Sequence, residues 1–220
     1  EQHVDCDALI SSMPIPELAE RLLPPAEHAL LEATKGLHFR DFLTVALVIK
    51  QKEMFPDNWI YIHEPRVQVG RIQNFKNWSP EMVKDESMTC LGLEYFCFTS
   101  DPLWRMSDKE LIDLASKELE VIGLARSADV VDGAVVRMEK TYPVYDDSYE
   151  KAMPIIRNEL ARFTNLYPVG RNGMHKYNNQ DHAMLTAMLA VENYADHATH
   201  DLWQVNVERV YHEEDKKNIS

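Results

Sequence analysis

Short stretches rich in β-branched and other apolar residues, separated by turn residues, occur along the middle of the chain, and this pattern is typical of β-strands. The stretch 39–50 is rich in β-branched residues such as Val45 and Ile49, which favour a strand. The alternation within 66–75 breaks near Gly70, where we expect a bulge. Strands are predicted at residues 7–12, 39–50, 59–63, 66–75, 88–99, 129–140 and 166–169.

Between these strands the apolar residues recur with a helical period. Ser107 and Glu110 have the spacing of a capping box, in which each side chain satisfies a backbone N–H group at a helix start. In the helix that follows, Leu111, Ala115 and Leu119 fall on one face. Helices are predicted at residues 16–23, 25–34, 107–122, 148–163 and 181–197.

The order of these elements predicts an α+β fold. Strands with two inserted helices fill the middle of the chain, so we expect an antiparallel central sheet with flanking helices. Both ends of the chain are strand–helix units. The first strand is expected to be buried through Leu9 and Ile10, and Met184 and Met188 are expected to be core residues of the last helix.

Composition and charge narrow the classes of protein. The 220 residues are 45% hydrophobic and 27% charged, which favours a sizeable core over a disordered chain. The net charge of −13 disfavours nucleic acid and anionic membranes as partners. No run of about 18 apolar residues occurs, so no membrane span is expected. Three scattered cysteines do not make a disulfide framework, so we expect reduced thiols and a cytoplasmic protein.

The glycines are spaced too widely for the common nucleotide-binding loops. A G-x-G-x-x-G dinucleotide loop and a G-x-x-x-x-G-K phosphate loop are both absent from this sequence. Any nucleotide that this chain binds must therefore be held in another way. The seven glycines stand at positions 36, 70, 92, 123, 133, 170 and 173.

Residues 166–173 place a glycine turn between a predicted strand and the last predicted helix. Gly170 allows a ligand or a second backbone to come close, and Arg171 adds a fixed charge with planar donors. The helix that begins near Asp181 presents backbone N–H groups and the positive end of its dipole. The same pattern suits a capped helix preceded by a tight turn, and the residues alone leave both interpretations open.

Residues 170–181, which read GRNGMHKYNNQD, resemble the C-terminal flavin motif of UDP-galactopyranose mutases and related amine-oxidase-type flavoproteins. Residues 62–72 are similar to the family's strand that carries an arginine close to the flavin, here Arg71. Residues 7–14 resemble the D-x-V-I-S-T-x-P strand of the same family. The mutase motif reads G-R-x-x-x-Y-K-Y-Y-D-x-D, and this chain matches it at positions 170, 171, 176, 177 and 181.

The resemblance implies FAD as the cofactor and assigns residues to it. The helix start at Gln180, Asp181 and His182 would face the pyrimidine edge of the flavin, where a helix dipole stabilises negative charge. Gly170 and Arg171 would lie beside the flavin or the diphosphate of the substrate.

The resemblance also implies catalytic and substrate-binding residues. Arg71 would lie near the reactive flavin nitrogen, and Arg71 and Arg171 would be the catalytic residues. Tyr177 matches a tyrosine that donates a hydrogen bond to a substrate phosphate, and Asn179 stands where the mutases carry Asp. By residue type alone, Arg71 also suits an ion-paired strand position and Tyr177 a half-buried core position.

The resemblance further implies a division of the chain and its relation to a longer protein. Residues 1–36 would end an FAD-binding domain, 37–145 would form the substrate domain, and 146–220 would supply the flavin-contacting strand and helix. The family's glycine-rich loop lies near the N-terminus of the full protein, so we expect this chain to be an inactive C-terminal fragment of an α/β parent. Exposed apolar surface would then drive self-association into homo-oligomers.

The implied function is that of part of a flavin-dependent enzyme, either an FAD oxidoreductase or similar to UDP-galactopyranose mutase. Its substrate would be a small molecule, with UDP-sugars as one class. The alternative is a non-catalytic binding or scaffold domain that binds no flavin on its own. His197 and His200 lie near one another at a helix end, but no Cys or Glu accompanies them, so we expect no metal site.

Overall fold

The computed structural model describes residues 4–23 and 25–206, and the chain divides into two compact units. The terminal unit joins residues 1–38 to 142–220, and the central unit comprises residues 39–141. The strands are β1 (Leu9–Ser11), β2 (Phe39–Ile49), β3 (Trp59–Tyr61), β4 (Arg71–Asn74), β5 (Thr89–Cys97), β6 (Val130–Pro143) and β7 (Leu166–Pro168). The helices are α1 (Ile15–Arg21), α2 (His28–Thr34), α3 (Phe75–Trp78), α4 (Pro102–Arg105), α5 (Asp108–Val121), α6 (Asp147–Leu160), α7 (Gly170–Gly173) and α8 (Gln180–Ala195).

The central unit is built on a five-stranded sheet with strand order β3–β4–β5–β2–β6. The β2–β5 pair is antiparallel and keeps its register from Asp41 opposite Cys97 to Ile49 opposite Thr89. The β4–β5 and β3–β4 pairs are also antiparallel. The antiparallel central sheet predicted from the sequence is therefore confirmed.

One face of this sheet is apolar and is covered by α5. Side chains alternate between the two faces of a strand, so odd-numbered residues of β2 and β5 share this face. They form one core with the apolar face of α5, whose predicted capping box is present: Ser107 Oγ accepts from the N–H of Glu110, and Glu110 Oε2 accepts from the N–H of Ser107. Fully buried members of this core include Leu43, Val45, Leu47, Leu91, Leu93, Leu111 and Leu119.

The terminal unit brings the two ends of the chain together. β1 pairs in parallel with β7, from Leu9 opposite Leu166 to Ser11 opposite Pro168. Helices α1, α2 and α6 enclose a core that includes the fully buried side chains of Ile15, Leu30 and Ile156. A smaller cluster contains Val169, Met174, Ala190 and Leu202.

Three sequence predictions about burial and extent are wrong. Leu9 and Ile10 are 45% and 41% exposed, because β1 has a neighbouring strand on one edge and little cover on its faces. Met184 and Met188 lie on the outer side of α8, at 66% and 59% exposure, because the inner side is formed by Thr186 and Ala190. Of the strand predicted at 66–75, only Arg71–Asn74 forms a strand.

In the part of the chain that the structure describes, no helix is long and apolar enough to cross a membrane.

Candidate functional site

The central sheet has a second face, turned away from α5, which we call the open face. It carries the even-numbered residues of β2 and β5 and the odd-numbered residues of β3 and β4, because partners in register share a face. Tyr61 of β3 is paired with Arg71 of β4, which is paired with Glu94 of β5, so the three residues lie side by side. Around Glu94, the open face includes Phe42, Trp59, Tyr61, Arg71, Gln73 and Phe96.

A buried carboxylate lies at the centre of the open face. Glu94 has no exposed surface, and its two carboxylate oxygens accept hydrogen bonds from Nε of Arg71 and Nε2 of Gln73. The side chain of Arg71 is 13% exposed. A charge removed from water needs a partner of this kind, so Glu94 and Arg71 form a paired unit.

Aromatic rings surround the Arg71 guanidinium. Its carbon lies 4.7 Å from the ring centre of Trp59, 5.7 Å from that of Phe96 and 5.9 Å from that of Tyr61. The three rings are 38–59% exposed, whereas the ion pair beneath them is almost fully covered. Stacking on a guanidinium holds rings and cation in a fixed relation.

A second group of candidate residues lies in the terminal unit around the turn before α8. Gly170 has φ +75°, a backbone conformation that glycine adopts at little cost. Arg171 donates from Nε to the carbonyl oxygen of Asn178 at 2.8 Å. Its guanidinium carbon lies 5.0 Å from the ring centre of Tyr142 and 4.8 Å from that of Tyr177. The turn therefore fixes Arg171 against its own loop.

The tyrosines of this group form a connected cluster. The rings of Tyr142 and Tyr177 stack with their centres 5.4 Å apart, and the N–H of Tyr177 donates to the hydroxyl oxygen of Tyr145 at 2.6 Å. Burial raises the pKa of Tyr145. Tyr177 is 37% exposed, so it remains partly accessible to solvent.

Behind this cluster, His175 is completely buried and stacks on Tyr149 with ring centres 5.7 Å apart. Desolvation lowers the pKa of His175 to about 4, so the imidazole is neutral near pH 7. Gly173 lies against β1 so closely that a Cβ there would sit 2.5 Å from the carbonyl oxygen of Ser11. These contacts anchor the turn in the core of the terminal unit.

The start of α8 is open. Asn179, Gln180 and Asp181 are exposed, and the N–H of Asn179 donates to Nδ1 of His182 at 3.3 Å. The Asp181 carboxylate lies 3.5 Å from the same imidazole nitrogen. A shallow cavity beside this turn is lined by His182, Leu185, Leu189, His200 and Gln204, among others.

The residues at this helix start are chemically suited to the ring edge of a flavin. That edge carries carbonyl oxygens and ring nitrogens, which match the N–H groups of a first helical turn because these groups have no acceptor within the helix. A Cβ on Gly170 would have one neighbour within 4 Å, at 3.8 Å, so the turn leaves space on that side. The sixteen residues of α8 give the helix a full dipole.

The structure groups the predicted residues into two sets. Gly170, Arg171 and Tyr177 are held in one turn by direct contacts, and 179–182 follow at the start of α8. Arg71 lies in the central unit, so its proximity to Arg171 stays a prediction. Among the described residues, no group of three or more His, Cys, Asp or Glu side chains is arranged to hold a metal ion.

Sequence reasoning missed Glu94 and the ring of aromatic residues around Arg71. A signal was present, because Glu94 is a charged residue inside the otherwise apolar stretch 91–97. A carboxylate within a buried strand indicates a buried partner. Tyr142 and Tyr145 were also missed, since their contacts with Tyr177 span more than thirty residues of chain.

The fold is similar to those of several solved enzymes. A reduced UDP-galactopyranose mutase superimposes with a TM-score of 0.75 at 21% identity, over 90% of this chain and 43% of the mutase chain. A protoporphyrinogen oxidase described as putative, from Exiguobacterium sp. 255-15, gives a TM-score of 0.57 at 17% identity, over 82% of this chain and 40% of its own. A putrescine oxidase mutant from a redesign of cofactor binding gives 0.58 at 13%, over 86% and 43%.

These structures confirm the fold that the resemblance implied. The chain spans less than half the length of each of them. No model of a known protein family matches the sequence, and no curated protein matches it. At these identities the similarity establishes the architecture, and the chemistry must be argued from the site.

Proposed function

We propose that this chain is part of an FAD-dependent enzyme that acts on a small molecule, either an oxidoreductase or an enzyme similar to UDP-galactopyranose mutase. The observation that carries this proposal is the fold match to the mutase over 90% of the chain. The stretch 170–181, which resembles the flavin motif, forms a glycine turn followed by an exposed helix start, and this supports the proposal.

The terminal unit supports a larger parent protein. Parallel strands occur almost only in sheets whose two faces are covered, whereas β1 and β7 form a parallel pair on which Leu9 and Ile10 are half exposed. The outer side of α8 is apolar and exposed as well. The part of the parent outside this chain would extend this sheet and cover α8, as the coverage of 43% of the mutase chain suggests.

In this proposal the chain's residues bind and orient the cofactor. Gly170 and the first turn of α8, at Gln180, Asp181 and His182, would hold the flavin ring edge, and Arg171 would keep the turn in shape. Bound FAD would supply hydride or electron transfer, for which the protein provides orientation and charge. Tyr177 and Asn179 would contact the substrate. Arg71 would lie near the reactive nitrogen of the flavin.

The test is to express the longer protein that contains this chain and to measure FAD by its visible absorbance after gel filtration. We expect about one FAD per chain. Replacing the exposed Gln180 by Trp should lower FAD affinity at least tenfold, because the indole would fill the space before the helix start. Asp196→Trp, at the other end of α8, is the matched control and should retain FAD.

A folded longer protein that is colourless and binds no added FAD would contradict the proposal and favour a non-catalytic binding or scaffold domain. The 220-residue chain by itself should bind FAD weakly, because its sequence has no glycine-rich loop for the diphosphate. Tight binding of FAD to this chain alone would mean that the assignment of the two domains is wrong.

A further inference from the structure

The charge of the open face is set by a carboxylate that no sequence motif identified. Glu94 lies directly opposite Arg71 in the β4–β5 register, and the N–H of Gly70 donates to the Glu94 carbonyl oxygen at 2.9 Å. Backbone pairing therefore fixes the carboxylate beside the guanidinium. Because the pair is 0% and 13% exposed, water screens it little, and the two charges cancel at close range.

Around Arg71, the groups that remain accessible on this face are rings rather than charges. Trp59 and Tyr61 lie with ring centres 5.5 Å apart and planes tilted by 45°. Phe96 lies on the other side of Arg71 and packs on Phe42 at 5.5 Å. Arg71 covers one side of these rings and leaves 38–59% of each of the three residues exposed to solvent. Exposed rings of this kind favour stacking with another ring.

Such a surface is poorly suited to a diphosphate. Recognition of an anion depends on uncompensated positive charge, usually from arginine. Arg40 is on the same face, but it lies four residues along β2 from Thr44, the partner of Glu94, which is about 13 Å. Arg40 also lies over the ring of Phe98, at 5.2 Å.

We propose that Glu94 determines the ligand class of the open face. By cancelling the charge of Arg71, it makes the face select an uncharged, ring-containing small molecule over an anionic one such as a nucleoside diphosphate. This inference rests on the proposed function, because it names the substrate class of the proposed enzyme and decides against a nucleotide sugar at this face.

The experiment uses two fluorescent dyes with the same rings. N-phenyl-1-naphthylamine is uncharged, and 8-anilinonaphthalene-1-sulfonate adds one negative charge. Both are titrated against the 220-residue chain, and the binding that Trp59→Ala removes is assigned to the open face. We expect Trp59→Ala to remove more binding of the uncharged dye than of the sulfonate. Glu94→Gln, which exposes the charge of Arg71, should shift the affinity ratio at least fivefold toward the sulfonate.

The double variant Glu94→Gln/Arg71→Gln restores neutrality and should return the ratio to within twofold of the wild type. If Glu94→Gln does not fold, Gln73→Lys serves instead, since it adds a positive charge while Glu94 and Arg71 remain. A ratio that changes less than twofold in every charge variant, or uncharged-dye binding unaffected by Trp59→Ala, would overturn the inference. Neither measurement involves FAD, so a colourless parent protein would contradict only the proposed function.

Discussion

At the scale of single residues, the buried imidazole of His175 links stability to pH. Its pKa in the folded chain is about 4, below the ordinary value of 6.5, because burial disfavours the charged form. Between these values the unfolded chain binds more protons than the folded chain. The contribution of His175 to the free energy of unfolding is therefore fully present above pH 6.5 and is lost as the pH decreases toward 4. We expect His175 to reduce the free energy of unfolding by about 2 kcal/mol between pH 7 and pH 5.

The measurement is a series of urea titrations followed by circular dichroism at several pH values. His175→Asn is the matched variant, because asparagine tolerates the positive φ of 45° at this position and does not titrate. Its stability should change less between pH 7 and pH 5 than that of the wild type. Equal slopes for both proteins would show that His175 is not a source of this pH dependence.

At the scale of elements, one carboxylate ties a loop to a helix. Glu118, on α5 and 5% exposed, accepts hydrogen bonds from the N–H groups of Gln68 and Val69 at 2.6 and 3.1 Å and from the Tyr95 hydroxyl at 2.9 Å. Burial and this carboxylate raise the pKa of Tyr95. Glu118→Ala would leave buried donors without a partner and should lower the free energy of unfolding by about 3 kcal/mol.

Urea denaturation of the two proteins checks this expectation. Lys117→Ala, an exposed substitution on the same helix, is the control and should change stability by less than about 0.5 kcal/mol. A loss below about 1 kcal/mol for Glu118→Ala would mean that water replaces the carboxylate and that the loop is held by other contacts.

The contact of Glu118 with the loop shows which elements could be predicted from the sequence and which could not. The capping box at Ser107 was predicted because both of its partners lie within four residues, and the long strand β2 was predicted because its β-branched residues are a local signal. The strand predicted at 66–75 begins only at Arg71, because the N–H groups of Gln68 and Val69 go to Glu118, fifty residues away. Periodicity records which residues are apolar, and it contains no information about such distant partners.

The candidate site could likewise be predicted only where its features are local in the sequence. The turn at Gly170 and the start of α8 were visible as a local motif, and the structure forms both. The pairing of Arg71 with Glu94 depends on strand register, which the sequence does not specify between β4 and β5. The face that carries Met184 was identified as apolar, but whether another element covers it is a property of the assembled protein.

At the scale of the whole molecule, α8 carries more exposed large apolar side chains than any other helix among the described residues. These five apolar side chains recur at helical spacing on its outer side, and surfaces of this kind drive association. We therefore predict that the 220-residue chain self-associates, with dimers or larger species at micromolar concentration in multi-angle light scattering. The side chains are Met184, Leu185, Met188, Val191 and Tyr194, at 44–66% exposure.

The double variant Met184→Lys/Met188→Lys should shift the chain to a monomer, because two like charges facing their copies across a contact repel. A comparison variant, Val136→Lys/Met138→Lys, places the same charges on β6, where both residues are 51% exposed, and should leave association unchanged. A monomeric wild type would contradict the prediction, and dispersal by the β6 variant alone would place the contact on the edge strand of the sheet. A longer parent would cover α8 with its own residues. The parent should therefore not associate through this surface under conditions in which the 220-residue chain associates.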